Sequence, residues 1–468
     1  MMTYSINSLG CKVNQYESQQ IRELLEILGL HKVEPPKTPD LVVINSCCVT
    51  HTASAKSRQC IHKIRKQSPN TVIILSGCLP TVQIGELSTM DEDVHLIRNR
   101  SDLADKLCCI IANKAATLTS QRTQSCPDSI IKAKNSYKIK YKKELNNHLD
   151  LPLTSFEGQT RAFLKIQDGC DGYCTYCIVP KTRPFVHSKP VDEVLNEAQA
   201  LVEAGHMEIV VTGIFLGAYG HKSVRRKKRP DQQNNHLADL LDKMAKIPNL
   251  ARIRLSSLEP ADLSTRLLDT LCRHPNIMPH LHLSLQSGSD NILRKMCRQY
   301  RIKEFIEKVE SAKSRLDRPA ITSDIIVGFP GETDADFEQT VDIAKIIGFA
   351  KMHVFSFSPR KGTAAANMQD TVENKVIKER SQILRDLGIE LGLKYRRQFL
   401  GETAEILIEE DNGQLSGRSE RYFTVFLNKT ANNQKRNRII KVNLVKNSKN
   451  GVYGELSSQR HQLVLRAL

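Results

Sequence analysis

The stretch Asp168–Pro180, DGCDGYCTYCIVP, places three cysteines within eight residues, Cys170, Cys174 and Cys177, in the spacing CxxxCxxC. It directly follows Ala162 to Gln167, an apolar run that reads as a β-strand. A four-iron cluster usually takes four thiolates, one per iron, so a tight group of three leaves one iron open to chelate a small molecule. The amino and carboxylate groups of S-adenosylmethionine suit that position. Structural zinc is the competing reading, but it needs a fourth ligand, and His187 lies in a strand-like stretch too far along the chain to complete a usual finger. The loop therefore predicts a cluster on Cys170, Cys174 and Cys177.

Outward from this loop the chain repeats a strand-then-helix rhythm. Strands are expected at Ala162 to Gln167, Met207 to Thr212, Arg252 to Ser256, Leu281 to Leu285, Thr322 to Val327 and Met352 to Phe357. Six such units predict a partial (β/α)6 barrel over residues 156–399. Parallel barrels place their active sites at strand C-terminal ends, where the cysteine loop falls. A basic run, Arg225 to Arg229, reads as a loop insertion that is solvated or touches phosphate.

Residues 1–111 alternate short apolar runs with amphipathic stretches, the pattern of a parallel α/β domain. Tyr4 to Leu9 ends at Cys11, Leu41 to Ile44 just before Cys47, and Thr71 to Leu75 just before Cys78. Ile21, Leu24, Leu25 and Leu28 recur at helical spacing and stop at Gly29. Strand C-termini of a parallel sheet share one edge, so three distant cysteines can converge there. Taken singly, each reads equally as a buried structural thiol.

Residues 112–155 lose the periodicity and collect Lys132, Lys134, Lys138, Lys140, Lys142 and Lys143, which predicts a basic linker. From residue 400 to 468, Thr403 to Ile408, Tyr422 to Leu427, Ile439 to Leu444 and Leu463 to Leu465 read as short strands of a small β-barrel. Between 391 and 468 there are 14 Lys and Arg against 7 Asp and Glu. The whole chain of 468 residues holds 68 Lys and Arg against 51 Asp and Glu, a net charge of +17 that suits a polyanionic partner such as nucleic acid. Thirteen cysteines, scattered and odd in number, argue against a secreted disulfide framework. With no signal segment and no apolar run long enough to span a bilayer, the expectation is a cytoplasmic protein without a membrane partner.

The ordered series SLGCKVNQYES, INSCCVT, LSGCLP, DGCDGYCTYC, RIRLSSLEP, HLHLSLQSGSD, SDIIVGFPGET and FSFSPRKGT resembles the methylthiotransferases of the radical S-adenosylmethionine superfamily over nearly the whole chain. The resemblance implies two [4Fe–4S] clusters, the second on Cys11, Cys47 and Cys78, with Cys47 chosen over the adjacent Cys48 by alignment. It also implies S-adenosylmethionine contacts from Tyr176 near the adenine and from Thr212-Gly213 near the amino group. Ser256, Ser284 and Gln286 are further candidates, and Ile326-Val327-Gly328 lies on the adenine side, since strand-end hydroxyl and amide groups point into a barrel mouth. Phe215 departs from the polar residue expected after Thr-Gly-Ile. Pro184 and Lys189 replace a usual glycine and arginine, which leaves Arg183 as the clearest match in that run. The C-terminal barrel resembles the TRAM domain, an RNA-binding appendage. Within it Tyr422, Phe423 and Phe426 are candidates to stack on bases, and Arg418, Arg421, Lys435, Arg436 and Arg438 to meet phosphates.

The activity implied is insertion of sulfur and a methyl group at an unactivated aromatic C–H bond, with electrons from a donor protein. SLGCKVNQYES looks most like the subgroup that acts on the tRNA anticodon loop, where threonylcarbamoyl adenosine next to the anticodon becomes its 2-methylthio derivative. Sister subgroups act on isopentenyl adenosine or on a ribosomal protein aspartate. A non-enzymatic iron–sulfur carrier would supply four ligands to each cluster, and a pure RNA-binding adaptor would leave both cysteine triads unexplained.

Overall fold

Strand β1 (Thr3–Ser8) carries its chain directly into Cys11 and the helix Lys12–Ile27, and two further strands repeat that motion. The computed structural model describes residues 2–82, 94–99, 102–118, 151–228, 235–411, 414–427 and 436–457. With β2 (His31–Lys32), β3 (Leu41–Ser46), β4 (Val72–Gly77) and β5 (Val94–Leu96), β1 forms a parallel sheet in the order β2-β1-β3-β4-β5. β3 is buried on both faces, as its unbroken apolar run requires. On one side Tyr4, Leu24, Leu25, Val43, Ile74 and Leu107 pack together; on the other, Val42, Ile44, Ile61, Ile73 and Leu75.

The chain divides into two units. The first holds Met1–Glu157, Cys177–Phe185 and Ser358–Thr363; the second holds Gly158–Tyr176, Val186–Phe357 and Ala364–Leu468. The expected linker differs at both ends from a solvated connector. Its start lies in the helix Leu103–Leu118. At its end Leu151 is buried in the N-terminal core, and the Glu23 carboxylate accepts from Thr154 N at 2.8 Å and Thr154 Oγ1 at 2.9 Å. The lysines between 132 and 143 lie outside the described residues.

In the second unit β6 (Ala162–Asp168), β8 (Glu208–Gly213) and β9 (Arg252–Leu255) run parallel, with short β7 (His187–Ser188) antiparallel on the edge of β6. After Ser256, β10 (Ser257–Leu258) continues into a second parallel sheet with β11 (His280–Leu283), β12 (Ala320–Val327) and β13 (Lys351–Ser356). The six expected strands are all present, the third interrupted at Ser256. The architecture is the expected partial (β/α)6 barrel.

The chain then closes a five-stranded barrel from β14 (Thr403–Asp411), β15 (Gln414–Ser419), β16 (Thr424–Leu427), β17 (Ile439–Ser448) and β18 (Gly451–Leu456), in the order β14-β15-β16-β18-β17. Its core of Ile406, Ile408, Val425, Val442 and Val452 is continuous with Ala320, Tyr395 and Phe399 of the preceding fold. Arg252 and Arg254 extend the same junction, donating to the carbonyls of Arg418, Glu405, Glu420 and Ser419. The strand expected at Leu463 to Leu465 lies outside the described residues. Among the described residues, no helix is long and apolar enough to cross a membrane.

Candidate functional site

In the second unit the loop after β6 is fixed before any cofactor is considered. Asp168 accepts from Gly169 N at 2.8 Å and from Lys165 Nζ at 2.9 Å, while Gln167 Nε2 donates to the Asp168 and Gly169 carbonyls. Asp171 is held by Ser223 Oγ at 2.7 Å and by Val224 N at 2.8 Å. Arg225 donates to the Asp171 carbonyl, and its guanidinium lies 3.8 Å from the centre of the Tyr173 ring. Arg226 pairs with Glu259 and Glu304. The basic run is therefore not a solvated insertion at these two positions: its first two arginines hold the loop and its neighbours. Arg229 lies outside the described residues.

Two of the loop sulfurs already accept hydrogen bonds. Gly172 N donates to Cys170 Sγ at 3.3 Å, and Arg298 Nη1 donates to Cys174 Sγ at 3.1 Å. Arg298 is almost fully buried; its Nη2 sits 2.7 Å from Glu259 Oε1, and its Nη1 reaches Tyr176 Oη at 3.4 Å. Burial alone would lower its pKa, but Tyr300, Glu259, Tyr176 and Cys174 hold it well above the usual arginine value. The Tyr176 ring packs against Ile292, Met296, Phe329 and Ala365. Cys177 falls in the first unit, where the next residue, Ile178, enters the core around Ile44 and Leu75.

The expected S-adenosylmethionine contacts lie along strand C-terminal ends. Thr212 and Gly213 end β8, and a side chain on Gly213 would meet Gln167, whose Oε1 accepts from Phe215 N at 2.7 Å. Ser256 is buried between β9 and β10, and its Oγ has no hydrogen-bond partner among the described residues. Ser284 follows β11, and its carbonyl accepts from Tyr300 Oη. Gln286 takes a positive φ of 62°, a strained backbone held by paired hydrogen bonds with Asp324 and Ile326. Gly328 follows β12 with φ 76°, where a side chain would strike Ile377. The orphan hydroxyl of Ser256 at these strand ends fits an organic ligand.

In the first unit Cys11, Cys47 and Cys78 follow β1, β3 and β4 on one edge of the sheet. A Cβ on Gly10 would come within 2.8 Å of Cys47 Cβ, and one on Gly77 within 2.3 Å of the Ser46 carbonyl, so both turns need glycine. Asn14 ties the edge together, accepting from Cys11 Sγ at 3.2 Å and donating to the Ser46 carbonyl at 2.9 Å. Burial pushes the Cys47 thiol up to about 11, with Cys78 and Cys11 adding to the rise and Arg183 opposing it. Cys11 is exposed at one side yet crowded by protein, which raises its thiol too, again against Arg183. Such thiols stay protonated until a metal that takes thiolate displaces the protons. Their convergence on one edge fits a thiophilic cluster. Cys48 is raised by its hydrogen bond with Cys78, then by burial, and lies wholly buried among apolar side chains. Arg183 grips Glu17 through two bonds of 2.8 and 2.7 Å in a buried pair.

Arg298, Glu259 and Glu17 are functional candidates that the sequence reading passes over. Glu17 and Glu259 stand inside quoted motifs, whereas Arg298 sits in RKMCRQY, where only the three-dimensional fold brings it to Cys174. In the C-terminal barrel the expected stacking residues are corrected. Tyr422 packs on His280 with ring centres 4.1 Å apart, and Phe423 is buried against Phe399. Arg418 faces Tyr422 and Glu409, and Arg421 pairs with Asp317. Phe426, half-buried like Tyr422, lies beside the partly exposed Tyr453, with Arg436 and Arg438 exposed and Lys435 outside the described residues.

Residues 164–344 match the Radical SAM superfamily, and residues 3–98 match a group described only as uncharacterized protein family UPF0004. The threonylcarbamoyladenosine tRNA methylthiotransferase MtaB of Chlamydia pneumoniae is 34% identical over 97% of this chain and 98% of its own. The MtaB of Bacillus subtilis is 36% identical over 88% and 85%. The tRNA-2-methylthio-N(6)-dimethylallyladenosine synthase of Ehrlichia chaffeensis is 29% identical over 96% and 98%. Among solved structures, the radical S-adenosylmethionine methyltransferase TsrM of Kitasatospora setae shares the fold, with a TM-score of 0.51 and 13% identity over 75% of this chain and 72% of its own. Built on a partial parallel barrel with a CxxxCxxC loop, and spanning nearly the full length of relatives more than 30% identical, the chain belongs to the radical S-adenosylmethionine methylthiotransferase family, in its MtaB branch.

Proposed function

We propose that this protein converts N6-threonylcarbamoyladenosine next to the anticodon of tRNA to its 2-methylthio derivative. The observation that carries this reading is the similarity to MtaB enzymes at 34 to 36% identity over 88 to 97% of the chain, against 29 to 31% for the dimethylallyladenosine synthases. Cys170, Cys174 and Cys177 hold one [4Fe–4S] cluster and Cys11, Cys47 and Cys78 a second. When bound, the first cluster and S-adenosylmethionine together supply the radical that activates the C–H bond. The chain's own residues bind and orient. Arg298 donates to the Cys174 sulfur, Ser256 offers a hydroxyl to the ligand at the strand ends, and Tyr176, Thr212, Gly213, Ser284, Gln286 and Gly328 shape the rest of that surface.

The domain organisation that goes with this reading is a cluster domain from residue 1 that takes in the helix Leu103–Leu118 and the segment from Leu151 to residue 155, a radical domain over 156–399 and an RNA-binding barrel over 400–468. Its setting is the cytoplasm, with tRNA as substrate and a separate electron-donor protein. The test is comparative mass spectrometry of tRNA from cells with and without the protein. Loss of the 2-methylthio mark from threonylcarbamoyl adenosine is expected; loss confined to the isopentenyl form would move the chain to the sister subgroup.

A further inference from the structure

Within the second unit, β11, β12 and β13 gather a set of metal-ligating side chains that includes no cysteine. In the parallel register His282 lies opposite Thr322, and Asp324 lies opposite His353. Side chains alternate along a strand, so Thr322 and Asp324 share a face, and His282, Asp324 and His353 meet on it. One ligand atom from each lies within 4.8 Å of the other two. His282 Nε2 is 3.3 Å from Asp324 Oδ2. Its other ring nitrogen, Nδ1, is 3.0 Å from Thr322 Oγ1, which also lies 3.0 Å from His280 Nε2. The ring is thus held from behind with Nε2 turned to the other two ligands. The His282 and Asp324 side chains are 13% and 31% exposed, so an ion can enter.

Two imidazoles and one carboxylate on one face bind divalent first-row ions while leaving coordination positions open, and a hydrogen bond to the far nitrogen of a ligating histidine fixes its tautomer. A hydrogen-bonded Asp–His pair alone would not require the third ligand, His353. We propose that His282, Asp324 and His353 form a mononuclear site for a divalent first-row transition metal. Its open positions take water or an oxygen donor. Neutral imidazoles and one carboxylate around a dication leave one positive charge, which favours an anionic oxygen. The ligand set includes no cysteine, and the site does not depend on the substrate assignment.

Mn2+ is a suitable probe because it avoids thiolates and is read by electron paramagnetic resonance, in which oxidised four-iron clusters are silent. Titrated into reconstituted full-length protein, Mn2+ should lose one equivalent of its six-line aquo signal, and Zn2+ should restore it. Pulsed spectra of the bound ion should show imidazole nitrogen couplings. His353→Ala, on the edge strand, and Asp324→Asn should each abolish uptake with iron and sulfide content unchanged, and Thr322→Val should weaken it by about tenfold or more. An undiminished aquo signal with wild-type protein, bound Mn2+ without imidazole coupling, or wild-type uptake by folded His353→Ala would overturn the site. If the ligand variants fail to fold, the wild-type stoichiometry and nitrogen couplings still decide.

Discussion

At the scale of single residues, charges are buried beside sulfur. Arg298 and Glu259 are 7% and 6% exposed, and Arg298 reaches Cys174 as well. Arg298→Met removes both a donor and a positive charge from that sulfur, so the midpoint potential of the cluster on Cys170, Cys174 and Cys177 should fall. It also removes the nearer of the two arginine partners of Glu259, leaving Arg226 at 3.3 Å, and should lower unfolding stability. Arg298→Lys should recover most of the potential, which a purely structural role would not explain. In the first unit, Cys47 is influenced by both Cys11 and Cys78, whereas Cys48 is turned to Cys78 and the apolar core. Cys47→Ser should therefore lose the proposed second cluster by iron analysis, and Cys48→Ala should keep it; the reverse would shift the ligand by one residue. The raised thiol also sets a pH dependence. A free cysteine thiol titrates near 9.0 and the folded Cys47 thiol at about 11, so without a metal the folded state holds its proton more tightly than the unfolded chain. That contribution is complete below about pH 9 and is lost as pH rises toward 11. Cluster-free protein should lose unfolding stability over this window, and cluster-loaded protein should not show the same loss.

At the scale of elements, strands carrying repeated large apolar residues were legible in the sequence, whereas two strands of the C-terminal barrel were not. Leu41–Ser46 and Ala162–Asp168 announce themselves through Val, Ile, Leu and Phe. Gln414–Ser419 contains one large apolar residue, Leu415, and becomes a strand because it pairs with β14 on one side and β16 on the other. Gly451–Leu456 likewise exists through its partners β16 and β17. The same tertiary override redirects the aromatic reading: Phe423 packs inward and Tyr422 stacks on His280, while Tyr453, unmarked in the sequence, pairs with Phe426 across adjacent strands. Tyr422→Ala should lower the melting temperature by removing the stack on His280. Tyr453→Ala should leave melting almost unchanged and weaken tRNA binding by about 1–3 kcal/mol, the range of one base stack. Equal tRNA affinity for Tyr453→Ala and wild type would remove that ring from the interface.

At the scale of the whole molecule, the cysteine triads and the order of motifs were open to sequence reading because each cysteine follows its strand in the chain. The second layer around them was not, since Arg298 and Cys174 are 124 positions apart and meet only through folding. The net charge of +17 belongs to this scale as well. Each phosphate neutralised releases counterions, so tRNA affinity should fall steeply with salt. Deleting the C-terminal barrel would expose Tyr395 and Phe399, so reversal of the exposed Lys441 and Lys446 is the cleaner probe, and it should flatten the salt slope without lowering stability.

The central claim concerns which modified adenosine enters the enzyme. A threonylcarbamoyl group presents a carboxylate, a hydroxyl and a urea-like amide, whereas an isopentenyl group presents hydrocarbon, and a site built for the first leaves buried polar groups unpaired with the second. The direct measurement offers anticodon stem-loops carrying each group to reconstituted enzyme with S-adenosylmethionine and reads methylthio product by mass spectrometry. Product on the threonylcarbamoyl stem-loop with little or none on the isopentenyl one is the predicted result; turnover confined to the isopentenyl stem-loop would contradict it.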